Sequence, residues 1–162
     1  MIVSAVVSIS LPFILNPITD DANLKEMSSG KPYTLPLEIL YNSTTNKHPE
    51  IDLTKGKHLI CFFSLTCSHC RLAAHKLHSI NLRNISIPVF MILNGDEKML
   101  AEFFEETKTE NIPHILFKGP KEYLQLAGPE LPAILWVNNS IVEKKFNIYS
   151  LEQSELEKLM LN

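Results

Sequence analysis

The residues Cys67-Ser68-His69-Cys70 carry the most chemistry in this 162-residue chain. Two thiols separated by two residues can attack a disulfide, close on each other, or supply half of a four-ligand zinc site. Their surroundings weigh on the choice. Directly before them, His58 to Ser64 (HLICFFS) is short, β-branched, aromatic and nearly devoid of charge, which predicts a strand buried on both faces. Directly after them, Cys70, Ala74, Leu77 and Asn81 recur along one stripe with Ala73 and Ile80 beside it, the spacing of an amphipathic helix. Cys67 is therefore expected at a strand-to-helix corner. Unpaired backbone N–H groups and the positive end of the helix macrodipole then point at its sulfur and favour the thiolate, the nucleophile of disulfide exchange. Cys70, one turn further on, is placed to close an intramolecular disulfide as the resolving thiol. His69 can add positive charge or a hydrogen bond to the thiolate, which favours the reduced pair and makes the couple more oxidising.

Other readings of the pair stay open at this point. Zinc sites usually need a second pair of Cys or His, for which His75 and His78 are candidates. On the helix these two fall with Arg71 away from the core stripe and read as a solvated basic face, so no metal ligands are assigned. A copper- or zinc-binding module using Cys67, Cys70 and a histidine is one alternative function, and a non-catalytic interaction domain with a vestigial pair is another. A purely structural disulfide over so short a loop would add little entropic stabilisation. The chain has three cysteines, so one intrachain pair leaves a thiol over, and Cys61 reads as a small buried hydrophobe.

The elements that must position these groups follow from composition and punctuation. With 45% hydrophobic and 20% charged residues the chain can build a core, and its length fits one domain with an appended segment. A formal net charge of -3 and no basic run argue against nucleic acid as a partner. Leu37 to Tyr41 (LEILY) reads as a strand and Ile87 to Leu93 as a second buried strand. Asp96 is a plausible N-cap for a helix carrying Leu100, Phe103 and Phe104. Ile115 to Phe117 and Ala133 to Val137 read as strands with a short helix from Lys121 to Ala127 between them. Asn138 and Asn139 predict a tight turn into Ile141 to Phe146. Ser150 with Gln153 reads as a capping box for a last helix burying Leu156, Leu159 and Met160.

Residues 1–30 read as a hydrophobic N-terminal segment and linker, and residues 31–162 as the folded domain. From Met1 to Thr19 no residue is charged, but Pro12, Asn16 and Pro17 interrupt the run before the roughly 20 apolar residues that a spanning helix needs. The tail of a membrane helix that starts outside this chain is the favoured reading, with an unusual signal or anchor and a segment packed on the domain as the others.

In the approach LTKGKHLICFFSLTCSHCR, a leading hairpin before it, and ELPAILWV followed by a hairpin and a last helix, the chain resembles the thioredoxin-like family. The resemblance spans residues 31–162 and is closest to the TlpA/ResA-type branch of extracytoplasmic thiol-disulfide oxidoreductases. It implies an α/β thioredoxin fold, a central mixed β-sheet flanked by helices, with an N-terminal β-hairpin and a helix-strand-helix insert between Asp96 and Gly128. It implies a catalytic set of Cys67, Cys70 and His69, with the Cys67–Cys70 redox-active disulfide and no other cofactor. A cis Leu131-Pro132 bond is expected to face the pair, with the Leu131 backbone binding an extended substrate strand and Thr66 and Ser68 completing the substrate-binding residues. The implied partners are protein thiols and disulfides, met by a monomeric domain on the periplasmic or extracytoplasmic side of a bacterial envelope and anchored through the N-terminal segment. Some DoxX-type membrane proteins resemble a helix bundle with such a domain attached, and the uncharged start would fit that junction.

The chain also departs from the family pattern. Cys61 stands where thioredoxins keep a buried acid, Thr66 replaces the aromatic residue before the first cysteine, and Ala73 replaces the glutamate of some ResA-type proteins. The Ser68-His69 dipeptide is similar to that of isomerases and strong oxidants, whereas the scaffold is similar to reductants, so the direction of electron flow stays open.

Overall fold

The computed structural model describes Met27 and residues 30–162. In chain order the elements are β1 (Tyr33–Thr34), α1 (Glu38–Asn42), β2 (Lys57–Ser64), α2 (Ser68–Arg83) and β3 (Val89–Asn94). A 3-10 turn (Glu97–Met99), α3 (Leu100–Thr107), β4 (His114–Leu116) and α4 (Pro120–Ala127) occupy the segment expected as an insert, and β5 (Ala133–Asn138), β6 (Ile141–Phe146) and α5 (Gln153–Leu161) complete the domain. The strands make one mixed sheet in the order β1-β6-β5-β2-β3-β4, with β2, β3 and β4 parallel and the other pairings antiparallel.

β2 is central, and its five residues from Leu59 to Phe63 are all fully buried, as the uncharged run predicts. Strand alternation divides them between two layers. Leu59, Cys61 and Phe63 join Cys70, Ala73, Ala74 and Leu77 of α2, Phe103 of α3 and Leu156 of α5. Ile60 and Phe62 face the opposite layer, with Leu40 of α1 and Tyr123 and Leu126 of α4. Met27, from the stretch read as linker, is 5% exposed and packs in this second layer, where Lys145 Nζ donates to its carbonyl.

Several local expectations need correction. LEILY is not a strand: α1 occupies Glu38–Asn42, with Leu37 and Leu40 both fully buried. Three-residue spacing of core leucines satisfies one face of a helical turn, and Pro36 cannot donate to a sheet ladder. Among the described residues there is no N-terminal β-hairpin; the two-residue β1 instead lies antiparallel to β6 at the sheet edge. The turn between β5 and β6 is Asn139-Ser140, one residue later than expected, with φ of 49° and 65°, and Gly56 clasps Asn139 through two hydrogen bonds of 2.9 Å. Ser150 does not cap the last helix. It closes a turn with Asn147, whose Oδ1 accepts from the Tyr149 and Ser150 amides, and α5 begins after Glu152 with no side-chain cap.

Candidate active site

Parallel pairing aligns Ser64 with Asn94 at the ends of β2 and β3, and Leu65 N–H donates to the Asn94 carbonyl at 2.9 Å. The chain then has two residues in which to leave the sheet and begin a helix. Gly95 makes room for this corner: its φ is +147°, and a Cβ there would meet Leu65 Cβ at 3.0 Å. Cys67 is the N-cap of α2, with extended φ and ψ of -87° and 116°. Its sulfur accepts the Cys70 N–H at 3.3 Å, the place a serine or aspartate oxygen takes in an ordinary cap. The expected strand-to-helix corner is thus present, with a free helix amide aimed at the sulfur.

The three cysteines are free thiols in different settings. Cys67 is half-buried, whereas Cys70 and Cys61 are fully covered. Burial, first, and a hydrogen bond to the Cys67 sulfur push the Cys70 thiol well above the ordinary range, although the Ser64 backbone pulls the other way. Burial alone pushes up the thiol of Cys61, which sits in the α2-facing core as a small apolar group. One accessible sulfur therefore stands in front of one protonated, protected sulfur.

Thr66, Ser68 and His69 are exposed around Cys67. Among the described residues the His69 ring makes no hydrogen bond, so its expected bond to the thiolate does not form here. The Leu131-Pro132 bond is cis. Phe62 pairs with Ala133, which places Pro132 at the end of the sheet where β2 runs out toward Cys67. Leu131 and Cys67 pack against the same core layer. Pro132 also lines a cleft of about 540 Å³ with Glu130, Ala133, Lys145, Phe146 and Met27, a cleft that includes neither sulfur.

Arg71 is not part of a solvated basic face. Its guanidinium bonds back to the Leu65 carbonyl and to Glu102 and Glu106 of α3, leaving the side chain 17% exposed. His75 is exposed and His78 half-buried, with ring centroids 6.4 Å apart. Among the described residues no group of three His, Cys, Asp or Glu side chains could hold a metal ion. Sequence reasoning also missed Tyr123. Its buried hydroxyl donates to the Ile92 carbonyl at 3.5 Å and is pushed well above the ordinary range by burial.

No protein-family model matches the chain. Among curated proteins it is similar to Protein TlpB of Flavobacterium psychrophilum, 28% identical over 120 residues, covering 68% of this chain and 32% of that protein. The match thus spans about a third of the length of that relative. Among solved structures, the thioredoxin domain of a thiol-disulfide oxidoreductase from Bacteroides vulgatus has a TM-score of 0.56 and 22% identity, over 66% of this chain and 81% of that one. A domain of a possible thiol-disulfide isomerase from Cytophaga hutchinsonii has a TM-score of 0.52 and 15% identity, over 67% and 78%. StoA from Bacillus subtilis has a TM-score of 0.50 and 16% identity, over 67% and 84%. At these identities the structural likeness establishes the fold.

Proposed function

We propose that this chain, thioredoxin-like and of the TlpA/ResA type that its relatives support, is a thiol-disulfide oxidoreductase acting on protein partners. The observation that carries the reading is the asymmetry of the pair. A half-exposed sulfur accepts a helix-start N–H at 3.3 Å, with a fully buried thiol hydrogen-bonded behind it. The Cys67 thiolate attacks one sulfur of a substrate disulfide. That S–S bond breaks, the other substrate sulfur leaves and takes a proton, and a mixed disulfide forms. Cys70 then loses its proton and attacks Cys67 Sγ, forming the Cys67–Cys70 bond and releasing the second substrate thiol. Two electrons pass from the protein dithiol to the substrate, and the reverse sequence oxidises a substrate dithiol.

His69 tunes the thiolate by its charge. Thr66, Ser68 and the backbone of Leu131 beside Pro132 receive an extended substrate segment by strand addition. The resemblance also supports an extracytoplasmic location. Tethering to a membrane rests on the uncharged start of the chain, which lies outside the described residues; no helix among those described is long and apolar enough to cross a membrane.

The roles are tested by trapping. Cys70→Ser is expected to accumulate a covalent adduct with a disulfide-bearing substrate, whereas Cys67→Ser accumulates none. Equal trapping by both variants would overturn the assignment. A glutathione titration with mass-spectrometric counting of free thiols then fixes the direction of transfer.

A further inference from the structure

Arg71 directly follows the second cysteine, yet its side chain turns back across the start of α2. Nε and Nη2 donate to the Leu65 carbonyl at 3.1 and 2.9 Å, while Nη1 is held by Glu102 at 2.9 Å and by Glu106. The guanidinium is largely withdrawn from water, whereas the glutamate side chains are 60% and 51% exposed. Leu65 lies two residues before Cys67, and its own side chain is fully buried. One planar fork thus fixes the loop that delivers the nucleophilic sulfur, a geometry that the single ammonium of lysine does not reproduce. The same fork joins that loop to the insert. It holds one positive charge at the Leu65 carbonyl, two residues before Cys67, together with two carboxylates that oppose it.

We infer that Arg71 is a positioning residue for the dithiol, and that Glu102 and Glu106 govern how much of its positive charge reaches the Cys67 sulfur, so that the insert helix α3 sets the redox poise of the pair. This rests on the thiol-disulfide reading of Cys67 and Cys70. Two consequences of the cluster then separate by sign. Removing Arg71 frees the loop and deletes the charge, so the thiolate loses support and the couple becomes more reducing. Removing the carboxylates leaves Leu65 anchored and lets the charge act, so the thiolate gains support and the couple becomes more oxidising. A brace that merely fastened α3 to α2 would be broken by either change, and the two variants would behave alike.

The test uses the full chain in glutathione buffers, where protein dithiol plus glutathione disulfide exchanges with protein disulfide plus two glutathione thiols. Arg71→Met is expected to shift this equilibrium toward the oxidised pair, and the double variant Glu102→Gln/Glu106→Gln toward the reduced pair. Each shift is roughly threefold, the scale of a partly exposed charge at a helix end, or about 14 mV for a two-electron couple. Arg71→Lys, which keeps the charge and loses the fork, is expected between wild type and Arg71→Met. Circular dichroism melting checks that each variant is folded. Shifts of the same sign, or no shift in the folded double variant, overturn the inference; should Arg71→Met not fold, the double variant and Arg71→Lys decide it alone. Failure of the wild-type chain to exchange at all would overturn the oxidoreductase reading itself, and that result is visible without any variant.

Discussion

With one thiol of the pair half-exposed and the other buried and held protonated, a small alkylating reagent should meet them in sequence. In the folded, reduced chain at neutral pH, iodoacetamide is expected to modify Cys67 at least about tenfold faster than Cys70. Peptide mapping over time checks this, and equal rates would remove the asymmetry on which the exchange mechanism depends. His69 is exposed and unbonded among the described residues, so it can act on the pair only through solvent-screened electrostatics. His69→Ala is expected to make the couple more reducing at low salt, with the difference shrinking as ionic strength passes about 0.1 M; a shift indifferent to salt would point to a contact rather than a charge. At this scale the sequence reveals the groups whose meaning is local. The position of Cys67 is readable because a charge-free strand and an amphipathic helix flank it within a few residues. Arg71 is misread as solvated because its acidic partners lie 31 and 35 residues away. Tyr123 goes unnoticed because only the fold brings α4 over the ends of β2 and β3.

The same contrast governs the elements. α2 is legible because one stripe must face the sheet, and Leu77 at its middle is fully buried among core residues. Leu77→Ala is expected to cost about 2–5 kcal/mol, read by chemical denaturation. α1 is not legible, since five residues that include Ile and Tyr match a strand as well as one helical turn; in the fold Tyr41 fastens that turn, its hydroxyl donating to the Ile51 carbonyl and accepting from Leu53 N–H, both at 2.7 Å. α5 starts two residues beyond the expected cap because Asn147 captures Ser150 before it can cap. That helix is held partly by Glu155, which bonds Lys144 of β6 and Lys158 of its own next turn. The lysine bonds, Lys144 first, lower the Glu155 carboxyl from its ordinary 4.5 to about 2. A depressed folded value means the contribution is present above the ordinary value and is lost as pH falls toward about 2. The chain should therefore lose a small, salt-sensitive part of its stability across that interval, and Glu155→Gln should flatten that part of the pH profile of the melting temperature.

Across the whole molecule, the sheet sorts side chains into two layers by simple alternation; the uncharged run of β2 marks the central strand, while the class of fold rests on the resemblance that spans residues 31–162. What alternation could not convey is the packing of Met27. Met27 is buried against the second layer close to Gly128, where a Cβ on that glycine would come within 2.9 Å of Met27 Cε. Met27→Ala is expected to lower stability by about 2 kcal/mol; an unchanged melting temperature would show that this residue adds nothing to the domain. Cys61 gives the molecule a built-in gauge. It hides in the middle of the central strand, on the same layer as α2, and only rupture of the sheet can bring it into contact with solvent. A single labelling experiment on the native chain therefore keeps two records at once: the outer sulfur logs its own accessibility to the reagent, and the innermost logs every global opening.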